Sequence, residues 1–335
     1  MSQNKPTPSF NTVKKSNRQK RHERLKFSRI LLLAIFAVTA LLLLTSLIFA
    51  VCLIFDGSDS DDNTPTLPPF NQGIGDQLQY ERITQTREAV HGGVLINVNA
   101  QHIFDFQNKL NLKNIEANRQ KYQDEFDTYG VVEHTWQMDA DALAAFNEMM
   151  LTYYEAFGEE DHIWITSAWR SFDDQLQGNY DLLPGYSDHH TGLCVAIKAG
   201  DANGDNRHEL ASDHWIYQNC YRFGFVIRYP AHKTAATGVE NYEFCLRYVG
   251  TAHAAYMTEH DLCLEEYTKL LSDSATKDAP IRIDDATGKQ YLVYYVKAEK
   301  DVTTLDVPKN YTYKISGDNV AGFIVTVCLS ETRNA

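Results

Sequence analysis

The side chains of this 335-residue chain that could do chemistry concentrate between residues 166 and 250. In chain order they are Arg170, Gln175, Ser187, His189, Cys194, Tyr242 and Cys245. Imidazole and thiolate groups are zinc ligands, and a guanidinium is always charged and donates hydrogen bonds in a planar fork. These residue types are suited to holding a metal or to stabilising a negatively charged oxygen atom.

The segments around these residues resemble motifs of the D-alanyl-D-alanine carboxypeptidases of the vancomycin-resistance type. That family belongs to the zinc peptidase superfamily of lysostaphin-like enzymes and the hedgehog signalling domain. Thr166–Gln175 resembles its Ser-x-Tyr-Arg-Ser-x-x-x-Gln motif, and Pro184–Lys198 resembles Ser-Glu-His-x-Thr-Gly-x-Ala-x-Asp. Phe223–Gly238 is similar to Gly-Phe-x-x-Arg-Tyr-Pro-x-x-Lys, and Glu240–Gly250 to Glu-Pro-Trp-His-x-Arg-Tyr-Val-Gly. The resemblance covers about residues 90–271.

The resemblance implies a substrate-binding half that is intact. Arg170 occupies the position of the family's arginine, which polarises the scissile carbonyl and stabilises the developing oxyanion. Gln175 and Ser187 match positions that line the peptide groove. The substrate class implied is the peptidoglycan stem peptide that ends in D-Ala-D-Ala.

The catalytic half departs from the family. Its zinc ligands are His, Asp and His, and these positions hold His189, Ala196 and Cys245. Tyr242 stands where the family has its catalytic glutamate, and a tyrosine with a pKa of about 10 is a poor base at neutral pH. The resemblance therefore implies a degenerate metal site and a pseudoenzyme that needs no cofactor, unless zinc binds an altered set of ligands.

Neighbouring residues do not restore the missing groups. Glu243 is one residue from the base position and His190 is one residue from His189, so we expect both to point away from the site.

Three states are open for the cysteines at this place. His189, Cys194 and Cys245 could form a rebuilt zinc site, or Cys194 and Cys245 could form a disulfide, which an extracytoplasmic location permits. The two could also be free thiols that pack as small apolar residues. Cys220 and Cys263 are a weaker candidate pair.

The N-terminal part predicts a membrane anchor. Residues 1–29 carry nine Lys or Arg and one Glu, and residues 30–55 contain no charge. That run is longer than the roughly 20 residues that span a bilayer, and the basic flank places the N-terminus in the cytoplasm. The acidic, Pro- and Ser-rich residues 56–78 are typical of an exposed stalk.

The charge of the remaining chain limits its partners. The formal net charge is −13 overall and +8 over residues 1–29, which leaves −21 for the rest. Phosphates would repel such a domain, so nucleic acid is excluded as a partner. We expect a single-pass protein of the bacterial cell envelope, with its main domain outside the membrane.

The elements predict an α+β fold, with helices packed on a small antiparallel sheet. Residues 79–273 are expected to form the peptidase-like domain and residues 279–335 a β-appendage of about four strands. The clearest helix is Met138–Phe157, with Asp139 or Asp141 as its N-cap. The other predicted elements are a strand from Val94, strands at Ile163–Ser167, Gly192–Lys198, Phe225–Tyr229 and Phe244–Val249, and helices at Asp213–Arg222 and Thr251–Leu271.

Three functions are consistent with these features. The first is a pseudoenzyme that holds stem peptides, or a partner protein, in the groove without cleaving them. The second is an active metallopeptidase whose altered metal shell uses His189 and Cys245. The third is a structural protein of the cell envelope, in which the stalk or the β-appendage docks to a protein complex.

Overall fold

The computed structural model describes residues 78–158, 162–178, 180–240 and 242–333. The α-helices in these ranges are α1 (Ala140–Phe157), α2 (Phe172–Gln177), α3 (Trp215–Asn219), α4 (Thr234–Thr237), α5 (Thr251–Glu259) and α6 (Leu264–Ser274). The strands are β1 (Tyr80–Thr86), β2 (Leu112–Asn114), β3 (Lys121–Tyr122), β4 (Phe126–Asp127), β5 (Gly130–Val131), β6 (Gln137–Asp139), β7 (His162–Ser167), β8 (Cys194–Gly200), β9 (Phe225–Tyr229), β10 (Tyr242–Tyr248), β11 (Ile281–Asp284), β12 (Gln290–Lys297), β13 (Val302–Pro308), β14 (Tyr311–Gly317) and β15 (Gly322–Thr332).

Within the described ranges, no helix combines the length and the apolar character needed to cross a bilayer. The predicted span at 30–55, the basic tail at 1–29 and residues 56–77 of the predicted stalk lie outside these ranges.

A five-stranded sheet in the order β5-β7-β8-β10-β9 forms the centre of the peptidase-like region. Strands β7, β8, β10 and β9 pair antiparallel, and the short β5 adds parallel to β7 at one edge. Successive side chains of a strand point to opposite faces: Val195 and Ile197 of β8 join the main core, whereas Cys194 and Ala196 face the other way. The predicted α+β class is confirmed.

Helix α1 covers the core face of the sheet. It ends at Phe157 as predicted and has Asp139 as its N-cap, but it begins at Ala140, because Met138 belongs to strand β6. The Asp139 carboxylate accepts hydrogen bonds from the amides of Asp141 and Ala142 at 3.0 and 3.3 Å, which satisfies donors that a helix start leaves free. Gly158 ends the helix at φ +62°, a conformation that glycine adopts without steric penalty. The apolar side chains recurring at helical spacing are buried against the sheet.

The C-terminal sheet, in the order β11-β12-β15-β14, contains the four strands predicted for the appendage. It shares a core with the helices before it, because Val293 and Ile324 lie in one buried cluster with Leu264 and Tyr267 of α6. A further strand, β13, pairs antiparallel with β1 from Tyr80–Pro308 to Thr86–Val302. The prediction missed this pair because Asp306 and Pro308 interrupt the pattern of β13.

The predicted strand from Val94 is wrong. Residues 94–99 are buried at most positions but belong to no sheet. Several of their backbone groups bind side chains instead: the Leu95 amide donates to Ser316 Oγ at 2.8 Å, and the Ile96 carbonyl accepts from Arg247 at 3.0 Å. The Val98 carbonyl accepts from Arg228 at 3.3 Å. The segment is therefore buried, as its apolar residues suggest, but it pairs with no strand.

Two predicted helices are shorter than expected. The helix expected over Thr251–Leu271 is divided into α5 and α6, because Asp261 between them adopts φ +49°, which a helix cannot accommodate. At the start of α6, the Glu266 carboxylate accepts a hydrogen bond from the Cys263 amide at 3.0 Å and so stabilises the new helix N-terminus. The helix predicted over Asp213–Arg222 is α3 followed by a 3-10 turn that ends at Gly224, at φ +83°.

Candidate functional site

The sheet face opposite α1 forms the floor of a cleft of about 280 Å³. It brings together most of the residues singled out from the sequence. Its walls and floor include Arg170, Gln175, Ser187, His189, Tyr242 and Cys245.

The pairing of β8 with β10 determines which side chains meet on this floor. Cys245 lies directly across from Ala196, and Arg247 lies across from Cys194. Cys194, Ala196 and Cys245 share one buried cluster with Tyr229. The position that the family fills with aspartate therefore presents a methyl group beside the Cys245 thiol.

His189 enters the floor from a 3-10 turn, Asp188–Thr191, which Gly192 ends in the left-handed conformation. Its Nδ1 lies 2.8 Å from the Ala168 carbonyl oxygen, an acceptor to which only a protonated nitrogen can donate. The other ring nitrogen, Nε2, is 3.7 Å from Cys245 Sγ. The imidazole is thus held with Nε2 directed at the thiol.

His189, Cys194 and Cys245 form one buried group, whose donor atoms all lie within 4.8 Å of one another. Both cysteines are free thiols in the structure, so neither is in the disulfide considered from the sequence. A hydrogen bond from the Cys194 thiol, opposed by burial and assisted by His189, lowers the pKa of Cys245. The same contact and burial raise the pKa of Cys194.

Arg170 lies at the side of the cleft and is held by three neighbours. Its Nε and one terminal nitrogen donate to Ser167 Oγ at 3.1 and 2.6 Å, and the other terminal nitrogen donates to Gln175 Oε1 at 3.0 Å. The Tyr180 ring stacks on the guanidinium, with 3.6 Å between the guanidinium carbon and the ring centroid. Burial lowers the pKa of Arg170, but a guanidinium remains charged.

Gln175 and Ser187 are both buried. Gln175 joins Arg170 to the next loop, because its amide nitrogen donates to the Leu182 carbonyl at 2.6 Å. Ser187 lines the cleft, and its backbone carbonyl accepts from the His190 amide at 3.1 Å. His190 itself bridges the Arg170 carbonyl and the Gly185 amide at 2.8 and 3.0 Å, so it fixes loops rather than replacing His189.

Tyr242 contacts a carboxylate that the sequence did not single out. Its hydroxyl donates to Asp181 Oδ2 at 2.7 Å, and both residues line the cleft. This hydrogen bond raises the pKa of Tyr242, with burial as the second cause. The hydroxyl is therefore protonated at neutral pH. Asp181 lies in a loop without periodic pattern, which is why no sequence signal marked it.

A buried ion cluster supports the cleft from behind. Asp188 Oδ2 accepts from the Nε atoms of Arg228 and Arg247 at 2.6 and 3.0 Å, and all three side chains are fully buried. Arg228 also binds Glu265 of α6 at 2.7 Å. The motifs Gly-Phe-x-x-Arg-Tyr-Pro and Arg-Tyr-Val-Gly contain both arginines, so the signal for this cluster was present in the sequence.

Cys220 and Cys263, the weaker candidate pair, are both free thiols. Cys220 belongs to the core beside α1, whereas Cys263 is the N-cap of α6. Burial raises the pKa of both to about 12, so they are unreactive thiols at neutral pH.

Comparison with known proteins identifies the class to which this fold and cleft belong. The VanY family, D-alanyl-D-alanine carboxypeptidase, matches residues 128–251. A D-alanyl-D-alanine carboxypeptidase of Enterococcus faecium is 30% identical over 278 residues, which are 81% of this chain and 86% of that protein. The chain therefore belongs to the D-alanyl-D-alanine carboxypeptidase family, which acts on peptidoglycan.

Two further relatives agree with this assignment. A D-alanyl-D-alanine carboxypeptidase of Enterococcus faecalis is 44% identical over 87 residues, which are 25% of this chain and 31% of that protein. The structure of the vancomycin-resistance D,D-dipeptidase VanXYg, in complex with a D-Ala-D-Ala phosphinate analog, is 25% identical. It aligns with a TM-score of 0.62 over 75% of this chain and 99% of that one.

Proposed function

We propose that this protein binds the D-Ala-D-Ala end of peptidoglycan stem peptides in the cleft and does not hydrolyse it. The family membership supports the ligand class, and VanXYg, the structural relative, was determined with a D-Ala-D-Ala phosphinate analog. Three side chains distinguish this chain from the family's active enzymes: Ala196, Tyr242 and Cys245, which stand where the family has Asp, Glu and His.

The observation that carries the proposal is the geometry of Arg170. The hydrogen bonds described above use three of the five N–H donors of its guanidinium. Two donors and the positive charge are left for a carbonyl or carboxylate oxygen of a bound peptide. Stacking on Tyr180 and the bonds to Ser167 and Gln175 hold the group in place before the ligand arrives, which reduces the entropy cost of binding.

The lack of hydrolysis follows from Tyr242. General acid–base catalysis contributes about 10²–10⁴-fold to rates and requires a group whose pKa is near the working pH. Tyr242 stands at the family's glutamate position, and its hydroxyl donates a hydrogen bond to Asp181, which keeps it protonated. It can orient a bound peptide by that hydroxyl but cannot accept a proton from water.

The experiment that tests the proposal is calorimetric titration of the full-length protein in detergent with an acylated Lys-D-Ala-D-Ala peptide. The matched control is the diastereomer that ends in L-Ala-L-Ala. We expect saturable binding of the first peptide alone and no release of D-alanine after prolonged incubation. Equal binding of both diastereomers, or of neither, would contradict the proposal.

A second candidate function is metal-dependent hydrolysis with Asp181 as the base. The observation in its favour is the 2.7 Å contact between Asp181 and Tyr242, which brings a carboxylate to the cleft wall. Release of D-alanine that is abolished in Asp181→Asn, but retained in Asp173→Asn of the exposed helix α2, would establish this function in place of the first.

We further propose that residues 30–55 anchor the protein in the membrane with the cleft outside. The uncharged run and its basic flank support this placement, and peptidoglycan stem peptides are met on that side. Protease added to intact cells should digest a C-terminal epitope tag while sparing an N-terminal one. The reverse pattern would refute the topology.

A further inference from the structure

We infer that His189, Cys194 and Cys245 bind one zinc ion, with Cys194 as a ligand from a position that the family's metal site does not use. The inference rests on the proposed function in one respect: the zinc site lies in the floor of the cleft that we propose binds the peptide. It adds a ligand set that the motif alone does not give: one imidazole and two thiolates.

The distances between the donor atoms fit a tetrahedral ion. With zinc–sulfur and zinc–nitrogen bonds of about 2.3 and 2.0 Å, tetrahedral angles place two ligand atoms about 3.5–3.8 Å apart. His189 Nε2 and Cys245 Sγ are 3.7 Å apart. Cys194 Sγ lies within 4.8 Å of both, so a small rotation of one thiol completes the set.

The strand register explains why Cys194 can replace the lost aspartate. Cys194 and Ala196 are two residues apart on β8 and therefore on the same face. Ala196 lies directly across from Cys245 and offers no ligand atom. The Cys194 thiol, two residues along the same strand face, lies within 4.8 Å of the Cys245 and His189 donor atoms and can supply the third ligand.

The surroundings of the group favour a metal over an isolated pair of thiols. A metal-binding histidine almost always donates its other ring N–H to a carboxylate or a carbonyl, and His189 Nδ1 binds the Ala168 carbonyl at 2.8 Å. The donor set is soft, so it selects zinc and similar metals against magnesium and calcium, which take oxygen ligands.

Three protein ligands leave a fourth position open. His189 and Cys245 line the cleft, and Cys194 lies fully buried beneath them. The open position therefore faces the space that the peptide enters, beside Arg170. Zinc would supply a Lewis acid that holds a peptide oxygen, while Tyr242 provides no base to activate water.

The test is cobalt titration of the full-length, reduced, metal-free protein, followed by absorption spectroscopy. Thiolate-bound cobalt gives a charge-transfer band in the near ultraviolet, and a tetrahedral site gives intense visible bands. We expect one equivalent to bind and zinc to displace it. Cys194→Ala should halve the charge-transfer intensity and weaken binding at least tenfold. The matched control Cys220→Ala, another buried thiol, should leave both unchanged.

Two results would overturn the inference: a cobalt spectrum without the charge-transfer band, or an identical spectrum in Cys194→Ala. Calorimetry with the D-Ala-D-Ala peptide on the same samples separates this inference from the proposed function. A normal cobalt spectrum without peptide binding refutes only the proposed function. Peptide binding by protein that takes up no cobalt refutes only the metal site.

Discussion

Arg170 combines a charge, a planar fork and a stacking partner, and a lysine could supply only the first of these. We predict that Arg170→Lys weakens binding of the D-Ala-D-Ala peptide about tenfold or more, because a hydrogen bond to a charged group contributes about 1.5–3 kcal/mol. Calorimetric titration measures the change. Arg222→Lys, whose parent side chain binds Asn219 at the surface, is the control and should bind normally.

Restoring the family's residues should restore its chemistry. We predict that the combined substitutions Cys194→Ala, Ala196→Asp, Tyr242→Glu and Cys245→His produce release of D-alanine from the peptide in the presence of zinc. The same variant without Tyr242→Glu should be at least about 100-fold slower, since it lacks a general base. Equal release by the unaltered protein would show that the native side chains already catalyse the reaction.

The motifs alone were sufficient to predict that His189, Cys245 and Arg170 lie in one cleft. Each of these residues belongs to a short motif that forms a strand or a turn. The motifs could not identify Asp181 or Tyr180, which reach the cleft through contacts between a loop and distant residues. They also left the state of Cys194 open, since that depends on how β8 aligns with β10.

The ion cluster around Asp188 joins the turn before β8 to strands β9 and β10, in addition to the backbone ladder of the sheet. Arg247 on β10 and Arg228 on β9 share one carboxylate oxygen, and each also binds a carbonyl of residues 96–98. The sequence predicted a strand at 94–99 from its apolar residues alone. The apolar pattern could not show that two arginine side chains and residues 316–319, rather than a neighbouring strand, bind this backbone.

We predict that Asp188→Asn lowers the free energy of unfolding by about 3–5 kcal/mol, because it leaves the buried guanidinium of Arg247 without a counter-charge and removes one of the two that Arg228 has. Urea denaturation followed by circular dichroism measures this loss. The control Asp273→Asn removes the exposed ion pair with Lys269 and should change stability by less than about 1 kcal/mol. Similar losses in both variants would mean that the cluster does not stabilise the sheet.

Stability should also depend on pH through Glu265. Burial raises its pKa, but the charge and hydrogen bonds of Arg228 outweigh burial and lower it below the ordinary value of 4.5. A lowered pKa in the folded state stabilises the protein above the unfolded value, and this contribution is lost as pH falls through the folded value. We predict that unfolding free energy decreases below pH 4.5, and that Glu265→Gln makes this decrease smaller. An unchanged acid profile in the variant would exclude the linkage.

In the part of the chain that the structure describes, the C-terminal sheet and the peptidase-like region share one buried core around Ile324 and α6. The pairing of β1 with β13 joins residues 80–86 to the C-terminal part as well. The strands of the C-terminal sheet were predictable from their alternating apolar residues. Their contact with α5 and α6 was not, because it joins residues far apart in sequence.

We predict that Ile324→Ala lowers the unfolding free energy of the described domain by about 2–5 kcal/mol, as expected for a fully buried aliphatic side chain. Differential scanning calorimetry should show a single transition for the domain, shifted to lower temperature. Val320→Ala, at an exposed position in the turn between β14 and β15, should have little effect. Two separate transitions in the Ile324 variant would show that the sheet unfolds on its own.

The pairing of β1 with β13 has a consequence for biosynthesis. Tyr80 is made early, but its partner Pro308 follows 228 residues later. Contacts over such separations slow folding, and β1 must wait as an unpaired strand until almost all of the chain has been synthesised. A nascent chain that stalls before residue 302 has an unpaired edge and the exposed apolar side chain of Ile83, which makes it a target for aggregation or proteolysis.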